Sequence, residues 1–134
     1  MGKSFVERGQ LAFQNVVCVQ VEAVGAEALN VRPVLLQLVG LDSLPVRARK
    51  RIRVQVLDTL SAATPSATAT LTTTAGTAVS GNGTSDLVVE CDDKGQVGIN
   101  LGEPAVANRY LVFLPNLTGP QVQHVSDPFA IAFA

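Results

Sequence analysis

The chain has 134 residues, which sets it as one domain with at most an added arm, long enough to bury a core without a metal or disulfide staple. Hydrophobic residues make up 47% of it but aromatics only 4%, and tryptophan is absent, so the core is expected to be built from Val, Leu, Ala and Ile. A net charge of -1 excludes a global field directed at nucleic acid or membrane, and no apolar run approaches the ~18 residues of a membrane span.

Residues 1–15 read as an N-terminal arm carrying Phe5, Leu11 and Phe13, an arm that orders on a neighbour, and residues 16–134 as a single β-sandwich domain. The N-terminus has no apolar h-region, so it is not a secretory signal, and Val6 stands where a myristoylation signal wants Ser or Thr. Synthesis in the cytoplasm without a signal peptide is the expectation.

Val16 to Val24 alternates into a strand, with Val17, Val19 and Val21 on one face and an increasingly polar face opposite. Ala26 to Leu29 is locally helix-friendly but too short to form a helix alone. Val34 to Val39 reads as a strand entered through Pro33. From Val46 the alternation is strict: Ala48, Lys50, Ile52, Val54 and Val56 share one face, and Arg47, Arg49, Arg51, Arg53 and Gln55 the other. Five of the ten basic residues lie between Arg47 and Arg53.

Asp58 to Pro65 is a turn region, Ala67 to Thr74 a Thr-rich strand, and Ala75 to Asp86 a Gly/Ser/Asn-rich loop with room for a short strand near Thr77 to Val79. Leu87 to Leu101 is expected to be a hairpin closed by Asp92-Asp93-Lys94-Gly95, with Gly95 at positive φ and Asp capping backbone N–H groups. Arg109 to Leu114 follows as a strand, then a turn at Pro115 to Pro120, a strand over Gln121 to Val125, and a terminal strand in which Phe129, Ile131 and Phe133 alternate with alanines. The count is eight to nine short strands with no long helix, the spacing of a β-sandwich.

Val54-Gln55-Val56-Leu57-Asp58, the Ala67 to Leu71 strand, Cys91-Asp92-Asp93-Lys94-Gly95-Gln96-Val97 and the Arg109-Tyr110-Leu111-Val112 strand together resemble bacterial and phage immunoglobulin-like domains. The resemblance covers residues 46 to 115. It departs from the antibody pattern in lacking a core Trp, and it leaves the first 45 residues unexplained. It implies an all-β, immunoglobulin-like β-sandwich of about eight strands with an N-terminal arm.

Single-copy domains of this type without an export signal resemble tailed-phage virion components. The implied function is that of a non-enzymatic capsid decoration (cement) protein in many copies on a symmetric particle, with the major capsid protein as partner and the virion as location. A tail or baseplate accessory is the alternative within that class. A carbohydrate- or cell-surface-binding module is the alternative outside it, against which the single Tyr and missing Trp count.

The residues offer contact rather than chemistry. Arg47, Arg49, Arg51 and Arg53 read first as a solvated face that guards against edge pairing, and next as a match for an acidic partner surface. Phosphate binding is the weaker reading, because no aromatics interleave for stacking. Phe129, Ile131 and Phe133 either close the domain's own sheet or extend a partner's. Asp92-Asp93-Lys94-Gly95 lacks the alternating oxygen ligands of a calcium loop, and His124 has no nucleophile elbow near it, so no catalytic, metal or cofactor site is expected. Cys18 and Cys91 sit in apolar runs, as two free thiols or as a disulfide.

Overall fold

The computed structural model describes residues 18–40, 42–62, 64–115 and 129–133. Within these the chain is all-β, with nine strands: β1 (Cys18–Val24), β2 (Val31–Val39), β3 (Arg51–Leu57), β4 (Thr70–Ala75), β5 (Thr77–Ser80), β6 (Asp86–Glu90), β7 (Gln96–Gly102), β8 (Ala107–Pro115) and β9 (Phe129–Phe133). They form two antiparallel sheets, ordered β1-β2-β7-β4 and β5-β6-β3-β8-β9. The arrangement is that of a β-sandwich.

One apolar cluster fills the space between the sheets. Val19, Val34, Leu36, Leu38, Leu71, Val97, Ile99 and Leu101 come from the four-stranded sheet, and Ile52, Val54, Val56, Leu87, Val89, Leu111, Phe113, Ile131 and Phe133 from the five-stranded one. Period-two alternation puts these side chains on one face of each strand. Each such side chain contributes about 1.5–3 kcal/mol when removed from water, which is why a core with only two aromatic rings suffices.

Two expectations need correction. Leu87 to Leu101 is not a hairpin. β6 belongs to the five-stranded sheet and β7 to the four-stranded one, so the turn between them carries the chain from one layer to the other. The turn chemistry itself is as expected. Gly95 has φ 73°, the Asp92 carboxylate accepts from the N–H groups of Lys94 and Gln96 at 2.9 Å each, and Gly95 N–H donates to Asp92 O at 3.0 Å. A tight turn fixes chain reversal, and the apolar faces that follow it choose the sheet.

The second correction concerns the arginine strand. It begins at Arg51 and not at Val46, because β6 reaches only as far as Glu90, the partner of Arg51. Ala26 to Leu29, helix-friendly but too short to form a helix alone, takes no helical form. Leu29 and Asn30, at φ 53° and 64°, make a two-residue hairpin turn between β1 and β2, closed by Ala28 and Val31 exchanging hydrogen bonds at 2.9 and 3.0 Å. Positive φ at both central residues is the primed turn that matches strand twist.

The Gly/Ser/Asn-rich stretch contains β5, and its remainder covers an edge. Leu71 N–H donates to Thr84 O, Gly83 N–H to Leu71 O and Thr73 N–H to Asn82 Oδ1, so the outer side of β4 is hydrogen-bonded by this loop. An edge strand treated this way offers little for pairing with another chain.

Candidate interaction surface

The arginine row divides into two pairs. On β3, Arg53 makes a two-pronged ion pair with Asp86 on β6, its Nε at 2.8 Å from Oδ1 and its Nη2 at 2.6 Å from Oδ2. This contact holds the Asp86 carboxyl below the ordinary Asp range and raises the Arg53 guanidinium, with partial burial opposing both shifts. Arg51 Nε lies 3.6 Å from Glu90 Oε2, also on β6, and forms no hydrogen bond. Both acids stand opposite their arginines or two residues away in the β3–β6 register, which runs Arg51 with Glu90 through Gln55 with Asp86.

Arg47 and Arg49 precede the strand, are exposed, and make no ion pair or hydrogen bond among the described residues. Among the described residues, two of the four arginines therefore have an acidic partner.

The terminal strand closes the domain's own sheet. β9 pairs with β8 from Ala107 with Phe133 to Leu111 with Phe129. Ile131 and Phe133 are buried in the core, while Phe129 is 39% exposed at the strand's start. The carbonyl of Ala132 accepts from Arg32 Nη1 at 2.9 Å, a bond between β2 in one sheet and β9 in the other. Phe5, Leu11 and Phe13, and also His124, lie outside the described residues.

One buried cluster has little local signal in the sequence. Glu103, in the Gly-Glu-Pro segment after β7, is 1% exposed. Its carboxylate accepts from Arg109 Nε at 2.7 Å, from Thr68 Oγ1 at 3.1 and 3.2 Å, and from Ala105 N–H at 3.1 Å. Asp58 Oδ1 is 3.2 Å from the same Arg109 Nε, and Glu103 N–H donates to Asn30 O at 3.0 Å. One buried acid thus ties the β1–β2, β3–β4 and β7–β8 connections together at one end of the sandwich. Its signal in the sequence is Arg109, a lone cation entering an otherwise apolar strand, which requires an anion nearby.

Around this cluster the loop tips are apolar: Leu29 is 97% exposed and Val106 81%. On the outer face of the four-stranded sheet a shallow groove of about 360 Å³ runs past Pro33, Leu35, Gly98 and Thr74, the last being its only polar side chain.

Both cysteines are free thiols. Burial pushes the Cys91 thiol up to about 11, while Cys18 is half-buried on the edge strand β1. Among the described residues no group of three His, Cys, Asp or Glu side chains is placed to hold a metal ion, and no helix is long and apolar enough to cross a membrane.

No family model, curated protein or solved structure matches the chain.

Proposed function

We propose that the protein is a non-enzymatic structural component of a phage virion, a capsid decoration (cement) protein that bridges neighbouring capsid subunits. The observation that carries the reading is the spatial strand order. Two antiparallel sheets in the orders β1-β2-β7-β4 and β5-β6-β3-β8-β9 support an immunoglobulin-like reading, in which the positions would correspond to A-B-E-D and C″-C′-C-F-G. The chain visits the outer positions in its own sequence, reaching the D place before C″ and C′, and it lacks the Trp and the disulfide of antibody domains.

A rigid sandwich of this kind presents loops at both ends. Here one end carries apolar tips and the other two exposed arginines, Arg47 and Arg49. Individually weak contacts of this sort add by multivalency when many copies sit on a symmetric particle.

The test is co-sedimentation of the purified protein with expanded empty shells and, separately, with tails of the phage that encodes it. Binding to shells and not tails is expected. Binding to tails alone would make it a tail or baseplate accessory. Binding to neither, with retention on a glycan array, would make it a carbohydrate-binding module.

A further inference from the structure

Of the chain's six asparagines, only Asn82 is followed by glycine. Asn82 and Gly83 are exposed in the connection between β5 and β6, with Gly83 at φ 85° and open space where a Cβ would stand. Both residues are bonded to the outer side of β4. Asn82 Oδ1 accepts from Thr73 N–H at 2.8 Å, and Gly83 N–H donates to Leu71 O at 2.7 Å. The Thr84 hydroxyl fastens the connection to itself, donating to Gly81 O at 2.7 Å and accepting from Asp86 N–H at 3.2 Å.

An asparagine amide and the next peptide nitrogen can close a succinimide ring. Here Gly83 N would lose its proton to solvent hydroxide and bond to Asn82 Cγ, and the side-chain nitrogen would take up a proton and leave as ammonia. One water then opens the ring. Breaking the bond from Gly83 N to Cγ gives aspartate. Breaking the bond from Gly83 N to the main-chain carbonyl carbon gives isoaspartate, in which the chain runs through Cγ. Glycine suits the step because no side chain shields its nitrogen.

The two bonds to β4 act on this step in opposite senses. Thr73 N–H polarises the Asn82 amide carbonyl and faces the oxygen on which negative charge gathers as the ring closes. Leu71 O holds the proton that Gly83 N must lose, so the nitrogen can attack only when that bond opens. The electrophile is prepared and the nucleophile is locked.

We propose that Asn82-Gly83 is a self-modification site, a deamidation point held shut by β4, and that its isoaspartyl product releases the outer side of β4. The second part follows from peptide geometry. In isoaspartate the former Oδ1 and Gly83 N belong to one peptide group, and a trans peptide points its C=O and N–H in opposite directions. Thr73 N–H and Leu71 O face the same side of β4, so one peptide group cannot serve both. Aspartate keeps the original chain path and a side-chain oxygen for Thr73 N–H. Isoaspartate would thus uncover an edge that the unmodified chain protects. The inference stands apart from the virion role.

The experiment incubates the full chain in mildly alkaline buffer, with and without urea, and maps amide-to-acid conversion by peptide mass spectrometry. Asn82 should convert before any other asparagine in the folded protein, to both aspartate and isoaspartate, and at least about tenfold faster in urea. Thr84→Ala, which touches no reacting atom, should speed Gly83 amide exchange and Asn82 conversion by the same factor. The parent's two rates carry the test even if this variant fails to fold. In the purified isoaspartyl form the Leu71 and Thr73 amides should exchange at least about tenfold faster than in Asn82→Asp.

Earlier conversion of another asparagine, equal rates in buffer and urea, or faster Gly83 exchange in Thr84→Ala without faster conversion would each overturn the locked site. Equal exchange at Leu71 and Thr73 in the isoaspartyl form and in Asn82→Asp would overturn release of the edge.

Discussion

The two ends of the sandwich use the same pairing, arginine with carboxylate, to opposite effect. At the Glu103 end the acid is out of water and fully hydrogen-bonded, with Arg109, Thr68 and Ala105 as donors. At the Arg47 end the charges stand in solvent, and the pairs that do form, Arg53 with Asp86 and Arg51 with Glu90, join neighbouring strands on an outer face. Buried partners are hard to remove because each leaves the other uncompensated, while exposed partners are replaced by water. One end is therefore architecture, and the other presents its charges to solvent.

Breaking the buried end should have the largest effect. Glu103→Ala leaves Arg109 without its main anion and is expected to destabilise by about 3–5 kcal/mol in denaturant unfolding. A loss under about 1 kcal/mol would place this cluster in the same class as the surface pairs. Gly95→Ala tests the sheet-switching turn. It forces a side chain into positive φ and its Cβ onto the Val46 carbonyl, and should cost about 1–3 kcal/mol in the same assay.

Thiol chemistry sharpens the contrast between interior and surface. Cys18 should react with a thiol-specific reagent in the native state, and Cys91 only on unfolding, because its raised value keeps it protonated. Since the unfolded thiol ionises at lower pH than the folded one, stability from Cys91 is complete below about pH 8.5 and is lost as pH rises toward 11. Cys91→Ala should flatten that alkaline decline relative to the parent.

Smaller effects belong to the exposed end. The Asp86 value is lowered by Arg53, so the pair's contribution is present above the ordinary Asp range and fades as pH falls through the depressed value. With both side chains in contact with solvent it amounts to about 1 kcal/mol or less, and Arg53→Ser should remove that acid dependence from the unfolding curve. Arg47→Ser with Arg49→Ser should leave stability within about 0.5 kcal/mol of the parent by thermal melting, while changing binding.

Much of the fold is legible in the residues, for a local reason. Ile52, Val54 and Val56 alternate with polar neighbours because one face of β3 is buried, and a period of two needs no tertiary information. The Asp92 to Gly95 turn is legible in the same way. Its role in changing sheets is not, because a turn between layers and a hairpin turn use the same Asp and Gly chemistry. The Leu29-Asn30 turn is not legible, because leucine is a poor signal for positive φ.

At the site, the sequence displays the arginine row but hides its division. That depends on where β6 ends and on a register placing Glu90 and Asp86 beside two of the four arginines. Glu103 was hidden for a related reason: Asp58, Thr68, Ala105 and Arg109 meet only after three connections converge.

The bond from Arg32 to the Ala132 carbonyl has a mechanical consequence. β1 starts opposite Val39 and β9 finishes opposite Ala107, so among the described residues the first strand begins and the last strand finishes at opposite ends of the sandwich, in different sheets. A pull along that line loads the β1–β2 and β8–β9 ladders in shear, where hydrogen bonds must yield together rather than unzip one by one. The Arg32 bond links β2 to β9, so the two ladders are also tied to each other across the sheets.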